Sequence, residues 1–398
     1  MDITITPGLL NGAVNAIPSK SQAHRLLICA SFVDTETELI CPETNKDIEA
    51  TVQCLNALGS NIKRTENGYQ VTPISLVPDH AQLPCGESGS TLRFMLPIVG
   101  ALGVNATFIL EGRLPQRPLS PLWEEMERSG CYLSRPAENL ISCTGMLQCG
   151  TYQISGDTSS QFITGLLIAT ALMEGTSHIQ ITGKLVSKPY VDMTKQALSL
   201  FGVTTDGYTV TGARPFQSPG TVIVEGDWSN AAFFLTATSL GSNVRVGNTN
   251  SDSAQGDKAV VALLEQLKEN QTISAADIPD LVPILSVVAS CNKGAVFTNI
   301  QRLRLKESDR VESVIAMLRG LGGNAEATED TLTVYGTGLI GGSVDSVNDH
   351  RIAMSTAIAA TACKEPVILY GAQCVEKSYP RFFEEYRRLG GNYEQYLR

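Results

Sequence analysis

Histidine and aromatic residues are scarce in this chain, with four histidines, two tryptophans and 6% aromatics among 398 residues. The histidines, at 24, 80, 178 and 350, form no His-x-x-x-His pair, and no Cys/His cluster has metal spacing, so no metal centre is expected. The same scarcity leaves a Ser-His-Asp triad with little support, and "GESGS" from Gly86 lacks the spacing of a nucleophile elbow. Long apolar runs are missing as well. Stretches such as "GLLIATALM" from Gly165 are too short to cross a bilayer, and the opening "MDITITPGLL" has no basic segment ahead of an apolar one. A cytoplasmic protein with no membrane partner is expected. Ten cysteines without a Cys-x-x-Cys pair read as reduced, mostly buried thiols. A formal charge of −10 argues against a nucleic-acid partner, yet it leaves room for a focused positive site that takes a small anion. No P-loop occurs. "GTGLIGG" from Gly336 fits a dinucleotide fingerprint, but loop or strand follows it where a helix is required.

What the chain does contain is repetition. At 43% hydrophobic and 18% charged it is globular, and its length calls for two domains. Six segments share one plan, a short polar loop, an apolar helical run and a small-residue turn into a β-rich strand. They begin at Pro18, Gly86, Gly156, Gly226, Ile278 and Asn348, about 70 residues apart except for a fourth interval of about 50. Each places Ser, Thr, Asp, Asn or Gly where a helix starts, which supplies caps and leaves backbone N–H groups free for an acceptor. "FITGLLIATALM" is apolar on nearly every face and reads as a buried helix with strands around it. A Pro/Gly-rich stretch, "RPFQSPGT" from Arg214, marks the main boundary.

A set of cations lies beside these helix starts: Lys20, Arg25, Arg93, Arg117, Lys306, Arg310, Arg351 and Lys377. One alone is more often a surface or cap residue than a ligand. Their repeated placement points to a site for strong anions. Lys306 and Arg310, in "LKESDR", are four apart and are expected to face one way at a helix entrance.

"PSKSQAHR", "GDTSSQF", "VSKPYVD", "IPDLVP", "LKESDR", "VNDHRIAM" and "EKSYPRF" together resemble the ordered signatures of the enolpyruvyl transferases, from about Ile3 to Phe383. The resemblance implies an α/β fold of two similar domains, each of three βαβαββ units, an inside-out α/β barrel with buried helices surrounded by sheet. Residues 1–14 and 218–398 would form one domain, carrying the phosphoenolpyruvate-side cations, and 15–217 the other, on the shikimate-phosphate side. The active site would lie in the cleft between them, with hinges near 14 and 218. The implied reaction moves the enolpyruvyl group of phosphoenolpyruvate to shikimate 3-phosphate without a cofactor, in a monomer.

By that resemblance Lys20, Ser21, Arg25, Ser159, Ser160, Gln161, Ser187, Asp280 and Lys306 would bind shikimate 3-phosphate. Lys20, Gly89, Arg117, Gln161, Arg310, Arg351 and Lys377 would bind phosphoenolpyruvate, where guanidinium forks suit carboxylate and phosphate. Lys20, Asp280, Lys306 and Glu307 would be catalytic, since the reaction moves protons at a hydroxyl and at C3. A lysine among Arg310, Arg351 and Lys377 is expected to have a lowered pKa before anions bind. Asp309 is expected to cap a helix. The chain departs from the family in Glu87, where many relatives carry Asn, and in Arg302, which receives no role; Glu87 is expected to need a cation such as Arg93. The chain is also somewhat short, and the brief fourth interval is expected to mark a trimmed unit. The branch of the family that acts on UDP-N-acetylglucosamine carries a Cys shortly before the arginine matching Arg117, and "LEGRLPQR" has none. A non-catalytic relative would be expected to lose Lys20, Asp280 or Glu307 first, and all three are present.

Overall fold

The computed structural model describes residues 1–212 and 216–396; Arg214 and Pro215, at the start of the Pro/Gly-rich crossover, lie outside the described residues. The chain forms two units, a central one of Pro18–Val224 and a split one of Met1–Ile17 with Glu225–Arg398. The breaks fall a few residues after 14 and 217 because backbone pairing holds both crossovers. Ala16 and Ile17 bond to Gly247 and Asp227 of the split unit, while strand Thr221–Ile223 pairs in parallel with Thr37–Ile40 of the central one.

All six repeat starts become helices: Lys20–Ala30, Gly89–Leu102, Ser160–Leu172, Trp228–Ser239, Val282–Cys291 and His350–Ala359. Five open on a side-chain cap, in which Ser19, Ser88, Ser159, Asp227 and Asp349 accept from a backbone N–H of the first turn. The exception, Val282–Cys291, has no such cap and carries Pro283 in its first turn instead, where the missing N–H costs nothing. Helices Ser160–Leu172 and Trp228–Ser239 are buried along most of their length.

Five repeats end in an open four-stranded sheet of one plan, a parallel pair followed by two antiparallel neighbours. In the third, Thr151–Ser155 runs parallel to Gly175–Thr182, which pairs antiparallel with Thr209–Gly212. The last sheet borrows the first strand of the chain, Asp2–Thr6, which sits between Val367–Tyr370 and Asn392–Tyr396. The fourth repeat is the trimmed one. Its sheet is only Asn243–Gly247 beside Asn11–Asn15, and the residues that follow form a loop and short helices. No sheet among the described residues closes into a barrel. Each unit buries its own hydrophobic core. The ten cysteines are free thiols, eight of them buried.

Two core helices approach closely at a proline. Pro97 inside Gly89–Leu102 has no N–H for the carbonyl of Arg93 four residues earlier. Gly165 of the neighbouring helix lies against that carbonyl, and a Cβ there would stand 2.4 Å from Arg93 O and 2.7 Å from Pro97 Cγ. A glycine is therefore required although it is a poor helix former. Gly165→Ala is expected to destabilise the chain by about 1–3 kcal/mol through overpacking. An unchanged thermal melting curve would show that the helices do not approach this closely.

Candidate active site

The central unit brings its candidate residues to the starts of three core helices. Lys20 opens the first helix and its Nζ reaches Asp47 Oδ2 at 2.8 Å. Ser21 follows it, and its carbonyl accepts from Arg25 Nη1. Arg25 itself is 2% exposed. Its guanidinium donates to Thr194 Oγ1, Thr164 Oγ1, Ser21 O and Tyr190 O and lies over the Phe94 ring. Burial pulls its pKa down to about 10. Arg25 thus joins the first helix to Ser160–Leu172 and Lys188–Leu200.

Gly89 opens the second core helix. A Cβ on it would meet Arg117 Nη1 at 2.6 Å and Arg93 Nη1 at 2.9 Å, so two guanidiniums converge on bare backbone at a helix N-terminus. Arg93 donates to Gln161 Oε1 at 2.8 Å, and Gln161 Nε2 donates to Ser90 Oγ at 2.8 Å, which ties this start to the third. The Nε of Arg117 is buried with no hydrogen-bond partner among the described residues. Glu87 is turned against Gly112, in the loop that leads to Arg117. Ser159 caps the third helix and Ser160 begins it. Ser187 stands just before Lys188–Leu200, without a side-chain cap bond, in a left-handed backbone at φ 55°, a conformation that serine seldom adopts. It is 1% exposed.

The split unit gathers the other set around Arg310. That guanidinium is 1% exposed and meets three carboxylates, Asp280 at 2.5 Å, Glu307 at 2.6 Å and Asp349 at 2.8 Å. Lys306 Nζ lies 3.4 Å from the same Asp280 oxygen. Lys306 and Arg310 do not share a helical face, because Asp309 caps the helix and Arg310 is its first residue, leaving Lys306 in extended backbone. Asp280 brings the two together. Arg351 follows the cap Asp349, donates from Nη1 to Ser229 O at 2.9 Å and faces the Phe233 ring. Lys377 Nζ donates to the carbonyl of Asn348 at 2.9 Å. It thereby supports a strained turn in which Val347 and Asn348 both have positive φ.

These charges shift one another. Burial alone would raise the Asp280 carboxyl, but Lys306, Arg310 and Arg351 together hold it well below the usual range. Burial lowers the Lys306 ammonium, with Arg310 and Arg302 adding to the effect while Asp280 and Glu307 oppose it. Burial would also lower Arg310, and Asp349, Glu307 and Asp280 outweigh it to keep the guanidinium charged at any ordinary pH. The lowered lysine expected among cations is present, but desolvation leads and Arg302 is the added neighbour. A carboxylate held in its charged form thus stands beside a lysine eased toward its neutral form.

The EPSP synthase model, described as 3-phosphoshikimate 1-carboxyvinyltransferase, matches residues 5–386. The chain belongs to that family. It is 38% identical to the 3-phosphoshikimate 1-carboxyvinyltransferase of Clostridium kluyveri, over 99% of this chain and 98% of that one. With the enzyme of the same name from Clostridium perfringens it shares 39% identity over 98% of each. Among solved structures, EPSP synthase from Acinetobacter baumannii superposes with a TM-score of 0.80 at 23% identity, over 99% of this chain and 100% of that one. The enolpyruvyl transferase NikO from Streptomyces tendae gives 0.78 at 17%, over 99% and 98%. At these identities the two structures speak to the fold.

Three site partners escape a reading of this family member by motif. Asp349 stands in "VNDHR" two residues before Arg351, Asp47 lies 27 residues beyond Lys20, and Asp257 lies 28 residues beyond its partner Ser229. The one local signal was for Asp349, an Asp immediately before a helical run, which reads as a cap.

The convergence at Gly89 has a direct consequence. A methyl there would push on the mobile ends of Arg93 and Arg117, and the backbone at Gly89 is already helical. Gly89→Ala is expected to leave the melting temperature nearly unchanged and to weaken phosphoenolpyruvate binding roughly tenfold, because displaced forks lose charge-assisted hydrogen bonds. Titration calorimetry decides it, and equal affinity would mean that the two guanidiniums do not hold this ligand.

Proposed function

We propose that this chain transfers the enolpyruvyl group of phosphoenolpyruvate to the 5-hydroxyl of shikimate 3-phosphate and releases phosphate. The observation that carries this reading is the single Asp280 oxygen shared by Lys306 and Arg310, with Glu307 on the other side of the same guanidinium. Membership of the EPSP synthase family supplies the substrates. Both are polyanions, which suits two sets of cations at helix starts.

The chemistry has two halves. In addition, the 5-hydroxyl oxygen bonds to C2 and loses its proton to a base, while C3 gains a proton, giving a tetrahedral intermediate. In elimination, C3 gives up a proton and the bond from C2 to the phosphate oxygen breaks. Asp280, held ionised, orients the acceptor hydroxyl and takes its proton. Glu307 serves C3, with Lys306 as the second proton carrier. Lys20, Ser21, Arg25, Ser159, Ser160, Gln161 and Ser187 hold the shikimate ester, with Asp280 and Lys306. Lys20, Gly89, Arg117, Gln161, Arg310, Arg351 and Lys377 hold phosphoenolpyruvate.

Phosphate release from phosphoenolpyruvate tests the reading, with shikimate 3-phosphate or UDP-N-acetylglucosamine as acceptor. Release is expected only with the shikimate ester, and Lys306→Ala should reduce it about 10²–10⁴-fold, the usual worth of a positioned acid/base group. Release only with the sugar nucleotide would contradict the substrate assignment, and an unimpaired Lys306→Ala would remove the lysine from the mechanism.

A further inference from the structure

One buried carboxyl in the split unit has no place in the mechanism above. Asp257 lies in the short helix Gly256–Ala259 of the trimmed fourth repeat and is 2% exposed. The segment before it cradles the start of helix Trp228–Ser239. Gln255 accepts from Trp228 N and donates to Gly226 O, and Asn250 O accepts from the Trp228 indole. Two residues past Gln255, one oxygen of Asp257 accepts from the Ser229 hydroxyl. The other, Oδ1, is buried with no partner. The carbonyl of the same Ser229 holds Arg351 Nη1, and Arg351 Nε is buried with no partner either. A carboxyl and a guanidinium therefore grip one residue from two sides, each with an unsatisfied atom.

We infer that Asp257 is a positioning residue that acts through Arg351: it is the internal counter-charge of that guanidinium while the site is empty, and it takes up a proton when phosphoenolpyruvate supplies the negative charge instead. The inference rests on the reading that Arg351 binds this anion. The charged groups facing Asp257 are Asp280 ahead of helix Val282–Cys291, Asp227 at the start of Trp228–Ser239 and Arg351 on His350–Ala359. Burial and the two aspartates push its carboxyl up to about 7, against the pull of Ser229 and Arg351. Asp280 stays ionised beside its own cations. Asp257 is thus the carboxyl of this group with room to accept a proton near neutrality. The step is a simple protonation, with the proton drawn from solvent as the anion binds.

A carboxyl raised in this way also has a defined effect on stability. The folded chain holds a proton that the unfolded chain releases, so this group's contribution declines as pH rises from 3.8 to about 7. Asp257→Asn keeps an acceptor for Ser229 and is expected to melt no lower than wild type at pH 8.

The test is calorimetric binding of phosphoenolpyruvate to the full chain in the presence of shikimate 3-phosphate, at pH 6 and pH 8, in two buffers of different ionisation heat. Ionisation of the ligands is common to both chains and cancels in the comparison. At pH 8 Asp257→Asn should bind about tenfold more tightly than wild type, because a group one unit above its pKa no longer has to be protonated, and near pH 6 the two should agree within about twofold. Wild type should take up a fraction of a proton that the variant does not. Ser229→Ala, which removes a bond that lowers the Asp257 pKa, should move the wild-type pH dependence upward. A pH-independent ratio of one, or the same proton uptake in both chains, would overturn the inference while leaving the proposed reaction intact. Failure of wild type to bind phosphoenolpyruvate at either pH would overturn both.

Discussion

The geometry of the split unit depends on one desolvated cation. Arg310 is almost wholly buried, and removing a guanidinium from water costs several kcal/mol unless its donors are met. Its Nε and two Nη groups are met by Asp349, Asp280 and Glu307, which come from three separate segments. The guanidinium is what keeps those carboxylates where they are, and the carboxylates are what keep the guanidinium charged. Asp349 does two jobs in this arrangement. It caps the last core helix through Arg351 N and accepts from Ser308 and Arg310, so the entrance of one helix is locked to the entrance of another.

Charge balance explains why such a cluster can exist before any ligand arrives. Lys306, Arg310 and Arg351 stand among the carboxyl groups of Asp280, Glu307, Asp349 and Asp257. The empty site is nearly neutral and so escapes the self-repulsion of a bare cation cluster. Its cost is that Lys306 and Arg310 are already engaged, and an incoming anion must compete with carboxylates for them. A ligand with several negative charges competes well and one with a single charge does not, which makes the balance itself a filter for polyanions. The central unit solves the same problem differently. There the guanidiniums of Arg93 and Arg117 are accommodated by the absence of a side chain at Gly89 and by the neutral amide of Gln161.

Much of this was legible in the sequence because it is local. A Ser or Asp followed by an apolar run fixes a helix start whatever surrounds it, and five of the six core helices begin where those signals stand. The shortened fourth interval likewise announced a repeat with too few residues for a full sheet, and only two strands pair there. What sequence spacing misjudged was the pair Lys306 and Arg310, because Asp309 is the better cap and starts the helix after Lys306. The partnerships of Asp280, Asp349 and Asp257 were out of reach, since each spans 26 residues or more of chain and depends on how core helices pack. The burial of Arg25 was hidden for the same reason, because its four acceptors come from three helices.

If the three-way fork of Arg310 is the pivot, charge alone should not replace it. Thermal melting of Arg310→Lys at neutral pH is the most direct measurement, since lysine keeps the positive charge and gives up the planar geometry that reaches three carboxylates. The account predicts a fall of roughly 5–10 °C, from about 3 kcal/mol lost in a unit of this size. A melting curve that superimposes on wild type would mean that a point charge suffices and that the fork does not organise the site.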